Sequence, residues 1–108
     1  MFVNETKSYY VMYNPVESSK NAAKKKEFFE KAMEHLGAEK VSVCNSVWAI
    51  NNVMYSSSND VADIIGSEMI RFASQDNATK DNKNDFDLKK GEDNLLISEY
   101  NKDNTMSL

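Results

Sequence analysis

Apolar side chains along this chain switch between a two-residue and a 3.6-residue rhythm, and each switch marks an element. Ser8-Tyr9-Tyr10-Val11-Met12-Tyr13-Asn14-Pro15 has the strand rhythm. Tyr9, Val11 and Tyr13 point to one face, and Tyr10, Met12 and Asn14 to the other. Both sets are largely apolar, so burial on both sides is expected. Pro15 stops the strand, because proline has no N–H to give a sheet ladder. Helical spacing follows. Ala22, Phe29, Met33 and Leu36, widened by Phe28 and Ala32, form the buried stripe of a helix. It is expected to run from a Ser18 or Ser19 cap to about Leu36, with Gly37 ending it.

Residues 38–51 lose the helical period. Val41 and Val43 alternate with Ser42 and Cys44, and Val47-Trp48-Ala49-Ile50 resumes after the turn-like Asn45-Ser46. Two strands of about 40–44 and 46–53, joined as a hairpin, are expected; one long bent strand is the competing pattern. Ser56-Ser57-Ser58-Asn59-Asp60 then caps a second helix of about 59–73, through Ser58 or Asn59. Its core face is Val61, Ile64, Ile65, Met69 and Phe72. Gly66 in its middle costs about 1 kcal/mol against alanine, which predicts a close packing contact there. Residues 74–93 are polar and aperiodic, a long loop unless a short helix or hairpin forms around Phe86 and Leu88. Leu95-Leu96-Ile97-Ser98-Glu99-Tyr100 is the last strand, and 101–108 a flexible polar tail.

The order β-α-β-β-α-β defines an α+β class, with a four-stranded antiparallel sheet and two helices on one face, in a single domain of residues 1–100. Right-handed crossovers put the first strand inside the sheet. Two helices cover one face, yet the first and third strands are apolar on both. A second copy packed sheet to sheet is the expected cover, through Tyr10, Met12, Asn14, Trp48 and Ile50. The competing cover is the 74–93 segment folded back over that face.

Charge and composition narrow the function classes. A net charge of −4 argues against a surface that coats DNA, while leaving room for a local basic patch. One cysteine makes no internal disulfide, no apolar run approaches the ~18 residues of a membrane span, and the first residues lack a signal-peptide pattern. The expected location is the cytoplasm, with no membrane partner. Abundant Asn and Lys beside scarce Gly and Pro fit an AT-rich microbial or viral source.

Tyr13-Asn14, Leu36-Gly37, Ser46-Val47-Trp48 and Asp93-Asn94-Leu95-Leu96-Ile97 fall in the order seen in a small ferredoxin-like group. The chain resembles that group, which contains the CRISPR adaptation protein that pairs with the integrase, the SinR-like proteins and virulence-associated protein D. The resemblance spans residues 8–100 through short motifs. It implies a dimer of ferredoxin-like sheets and, in nuclease members, an aspartate at the end of the first strand flanking a divalent metal. Asn14 stands at that position. An amide carries no charge and ligates Mg²⁺ poorly, so no catalytic residue, metal ligand or cofactor is assigned.

Other candidates read blandly. Glu17, Asp60 and Asp63 suit helix starts, with Asp60 the alternative metal ligand. His35 suits a helix C-terminus, Cys44 a small buried hydrophobe, and Ser56-Ser57-Ser58 a capping loop. Lys20, Lys24, Lys25 and Lys31, with Lys26, make the first helix locally basic and are the possible phosphate contacts, although interleaved glutamates suit a solvated face. Trp48 suits core or interface over base stacking. The expected function is a non-catalytic homodimeric interaction protein that binds a protein or nucleoprotein partner. The alternatives are a Mg²⁺-dependent nuclease using Asp60, and an acidic viral counter-defence inhibitor of a nucleic-acid-binding host protein.

Overall fold

The computed structural model describes residues 6–16, 20–41, 47–54, 57–89 and 92–100. Strand β1 (Lys7–Pro15) is followed by helix α1 (Ala22–His35), strands β2 (Glu39–Lys40) and β3 (Val47–Val53), helix α2 (Ser58–Gln75), a 3₁₀ segment (Lys80–Phe86) and strand β4 (Asp93–Tyr100). The strands form one antiparallel sheet in the order β2-β3-β1-β4. β1 is interior, as the crossover rule requires. β2 and β3 pair as a hairpin, Glu39 opposite Ala49 and Lys40 opposite Trp48.

Each helix ends for a local reason. α1 is capped by Asn21 without a side-chain bond; the expected caps Ser18 and Ser19 lie outside the described residues. At its other end Gly37 takes φ +76°, which places the Ala38 N–H on the Met33 carbonyl at 2.9 Å and its own N–H on the Glu34 carbonyl at 3.1 Å. That pair of bonds satisfies two orphan carbonyls, and the left-handed residue they need costs glycine least. α2 starts one residue earlier than its sequence suggests, because Ser57 is the cap and its Oγ accepts the Asp60 N–H at 3.3 Å.

The core lies between one sheet face and the helices. Tyr9, Val11 and Tyr13 of β1 pack with Phe28, Phe29, Ala32 and Met33 of α1 and with Val61, Ile65, Met69 and Ala73 of α2. The polar stretch after α2 joins this core. The Asp76 carboxylate accepts the Ala78 N–H at 2.8 Å, and the Thr79 hydroxyl donates to the Ala73 carbonyl at 2.7 Å. This connector aims the 3₁₀ segment back at the helices, where Phe86 meets Phe28 edge to face at 5.2 Å. Of the expectations for this stretch, the short helix near Phe86 is the one that forms, and its described residues pack on the helix side of the molecule through Phe86. Gly66 has the close contact that its cost implies, since a Cβ there would collide with the Asp87 carboxylate. No helix among the described residues is long and apolar enough to cross a membrane.

Candidate functional site

The sheet face away from the helices is built by alternation. β1 contributes Tyr10, Met12 and Asn14, and the antiparallel register puts Ala49 and Val47 of β3 beside Tyr10 and Met12. On the other flank, Ser98, Leu96 and Asn94 of β4 lie opposite Tyr10, Met12 and Asn14. Opposed residues share a face in a sheet, so Val47, Met12 and Leu96 make one apolar row across three strands. Met12 is 39% exposed and Leu96 59%. Tyr10 stacks on Tyr100 at 3.9 Å between centroids, and the Tyr100 hydroxyl reaches across to donate to the Asn51 side chain. Burial first, then the nearby Tyr10 and Glu39, raises the Tyr100 pKa. Among the described residues of β3, β1 and β4, no charged side chain lies on this face; its one charged neighbour in the sheet is Glu39 of the edge strand β2, opposite Ala49.

Two residues expected on that face are elsewhere. Trp48 pairs with Val11 and Ile50 with Tyr9, so both point to the helices and are 6% and 1% exposed. The error is one of phase. Alternation within a strand does not say which of its two apolar sets shares a face with Tyr10; only the pairing register does.

A second feature lies at the end of β1. The described part of β3 begins at Val47, opposite Met12, while β4 pairs with β1 as far as Pro15. An open cleft of about 860 Å³ lies beside Asn14. Tyr13 and Phe29, stacked at 4.5 Å, are in its wall with Trp48 and Leu95, and Met12 and Leu96 border it on the side of the open sheet face. Lys26 and Glu30 of α1, Lys40 of β2, and Asn14 and Asn94 supply its polar groups. Lys40 holds its ammonium 5.3 Å from the centre of the Trp48 ring.

Under the cleft is a buried ionic network that the sequence did not disclose. The Lys25 ammonium lies 2.7 Å from Asp93 Oδ2, and these side chains are only 2% and 3% exposed. The same oxygen accepts the Lys89 backbone N–H at 2.7 Å, and Oδ1 accepts the Tyr13 hydroxyl at 2.5 Å. Burial, and then the hydrogen bond and charge of Asp93, hold the Tyr13 pKa well above the usual phenol range. The network's chemistry is structural, since its donors and acceptors satisfy one another. One signal was present: Lys25 precedes Phe28 and Phe29 by three and four residues and so continues their stripe.

The other predicted residues separate. Lys25 is removed from the solvated face by its burial. Lys24 is held by Glu27 and Asp76, each at 3.3 Å, whereas Lys20 and Lys31 are exposed. Asp60 sits in the first turn of α2 and is not part of the cleft that holds Asn14. His35 is a surface residue whose Nδ1 lies 2.9 Å from Glu68. Cys44 and Glu17 lie outside the described residues. Among the described residues, no group of three His, Cys, Asp or Glu side chains is placed to hold a metal ion. No family model matches the chain, and no curated protein or solved structure does.

Proposed function

We propose that this protein is a non-catalytic homodimeric interaction protein on a ferredoxin-like scaffold, whose paired sheets present a surface to a protein or nucleoprotein partner. Read from its long edge, the strand order β4-β1-β3-β2 with antiparallel neighbours supports the scaffold, being what two interleaved right-handed β-α-β crossovers produce. The observation that carries the reading is the apolar row Val47, Met12 and Leu96 across three strands that place no charge on this face, the one described carboxylate of the face, Glu39, lying at the β2 edge. In a chain that is 28% charged, a face of three strands without a charged side chain needs a reason. A twofold contact buries the same patch on both chains, and a charge inside it would lose its hydration unless an opposite charge met it across the axis; an apolar row avoids that cost. The 3₁₀ segment does not compete for this face, because its Phe86 is committed to the core.

The nuclease alternative has no observation in its favour, since Asp60 and Asn14 do not share a cleft. Sedimentation velocity of Met12→Glu and Leu96→Glu tests the dimer. Each variant is expected to sediment as a single chain at concentrations where the unmodified protein is paired, while Lys31→Glu on the helix side stays paired. Pairing that survives both substitutions would remove the sheet face from the contact.

A further inference from the structure

The cleft beside Asn14 carries more hydrogen-bond donors than its own acceptors use. Trp48 is 6% exposed and lines it, and its indole N–H has no hydrogen-bond partner among the described residues. Leaving such a donor buried and unmet is costly, and the great majority of buried polar groups are paired. In the same cleft, among the described residues, Lys26 and Lys40 form no ion pair, Lys40 lying over the Trp48 ring, and the side-chain amides of Asn14 and Asn94 make no hydrogen bond. Asp93 does not answer them, since Tyr13, Lys25 and the Lys89 N–H occupy its oxygens. The other carboxylate is Glu30, on the α1 wall and likewise without an ion pair.

We propose that the cleft at the end of β1 binds a small phosphate monoester with a hydroxylated, partly apolar body, held through Lys26, Lys40 and the Trp48 indole N–H. Two ammonium groups and a neutral donor match a dianionic head with three acceptor oxygens better than a carboxylate with two. The Asn14 amide adds a donor that a carboxylate at that position would replace with repulsion. Glu30 accepts from a hydroxyl of the body, and Leu95 and Phe29 give that body an apolar wall. The volume of about 860 Å³ lies within the range of small-molecule sites. A nucleoside monophosphate has every one of these features.

The only tryptophan of the chain lies in the site, so its fluorescence reports occupancy directly. The full chain is titrated with uridine monophosphate, inorganic phosphate and sodium chloride at matched ionic strength, with calorimetry in parallel. Saturable binding of the nucleotide is expected, at least tenfold tighter than inorganic phosphate. In the Lys26→Gln/Lys40→Gln variant it should weaken tenfold or more. Both lysines are exposed and make no ion pair among the described residues; Lys40→Gln gives up only its cation–π contact with Trp48, so the variant should stay folded with a small drop in its melting temperature. Lys20→Gln/Lys31→Gln, which alters the same net charge away from the cleft, should bind as the unmodified chain does. Equal responses to nucleotide and chloride, no heat and no spectral change, or equal losses in the two double variants would overturn the assignment. Inorganic phosphate binding as tightly as the nucleotide would overturn the organic body. Met12 and Leu96 of the sheet face also line this cleft, so the mass is measured separately, with and without nucleotide, to keep the dimer and the ligand site distinguishable.

Discussion

Replacing Asp93 by alanine leaves a cation stranded inside the protein. Lys25 keeps its position because Asp93 is 2.7 Å away, and with side chains 2% and 3% exposed the pair is too deep for solvent to screen. Removing one partner of a buried pair costs about 3–5 kcal/mol, most of it the desolvation of the charge left behind. Here the Tyr13 hydroxyl and Lys89 N–H lose their acceptor as well. Glu92 offsets part of this, since its half-exposed carboxylate is already 3.9 Å from Lys25. The expected loss is therefore about 3 kcal/mol, toward the lower end of that range. With a urea dependence of about 1.5 kcal/mol per M, the unfolding midpoint should fall by about 2 M at unchanged slope. Lys25→Met should cost less, because Asp93 keeps two donors in place. The Lys25→Met/Asp93→Ala double variant should be more stable than Asp93→Ala alone, as the stranded charge is gone. A single-variant loss below about 1 kcal/mol, or losses that simply add, would refute a buried ionic anchor.

Three further outcomes follow from the same packing. Stability should fall as pH rises above about 10, because Tyr13 and Tyr100 hold their protons in the folded chain and release them near their ordinary pKa when unfolded. Tyr13, held well above the phenol range, contributes a slope of about −1.4 kcal/mol per pH unit above its unfolded pKa, and Tyr100, shifted the same way but more exposed, contributes less; Tyr13→Phe, followed by urea unfolding between pH 9 and 11, should remove Tyr13's share. Phe86→Ala should cost about 3–5 kcal/mol in the same assay, although it lies in a stretch that reads as loop, since the ring is 1% exposed and edge-on to Phe28. Gly66→Ala should destabilise the unmodified protein yet stabilise an Asp87→Ala background by about 1 kcal/mol, because the Asp87 carboxylate is what opposes a Cβ; the same sign in both backgrounds would contradict that contact.

How much of this was legible in the sequence depends on whether a feature is local. β1 announced itself through alternation and Pro15, the end of α1 through Gly37, and the tight approach to α2 through Gly66, since each is decided within a few residues. The face taken by Trp48 was not legible, because it depends on a pairing register set between distant strands. Lys25 was misread because charge suggests solvent, whereas its partner is 68 residues away in β4. The order in residues 76–86 rests on the Asp76 and Thr79 caps and on one aromatic ring, too few apolar positions to show a period. The cleft was half legible. Asn14 stood out as the end of a strand, but the lysines that face it come from α1 and from the margin of the sheet.

Whether the apolar row Val47, Met12 and Leu96 is shared between two chains is decided most directly by mass in solution. Light scattering on the eluting full chain, from low to high micromolar concentration, gives the mass without assuming a shape. The prediction is twice the 12.3 kDa of one chain, falling toward 12.3 kDa on dilution. A steady 12.3 kDa at every concentration would contradict it.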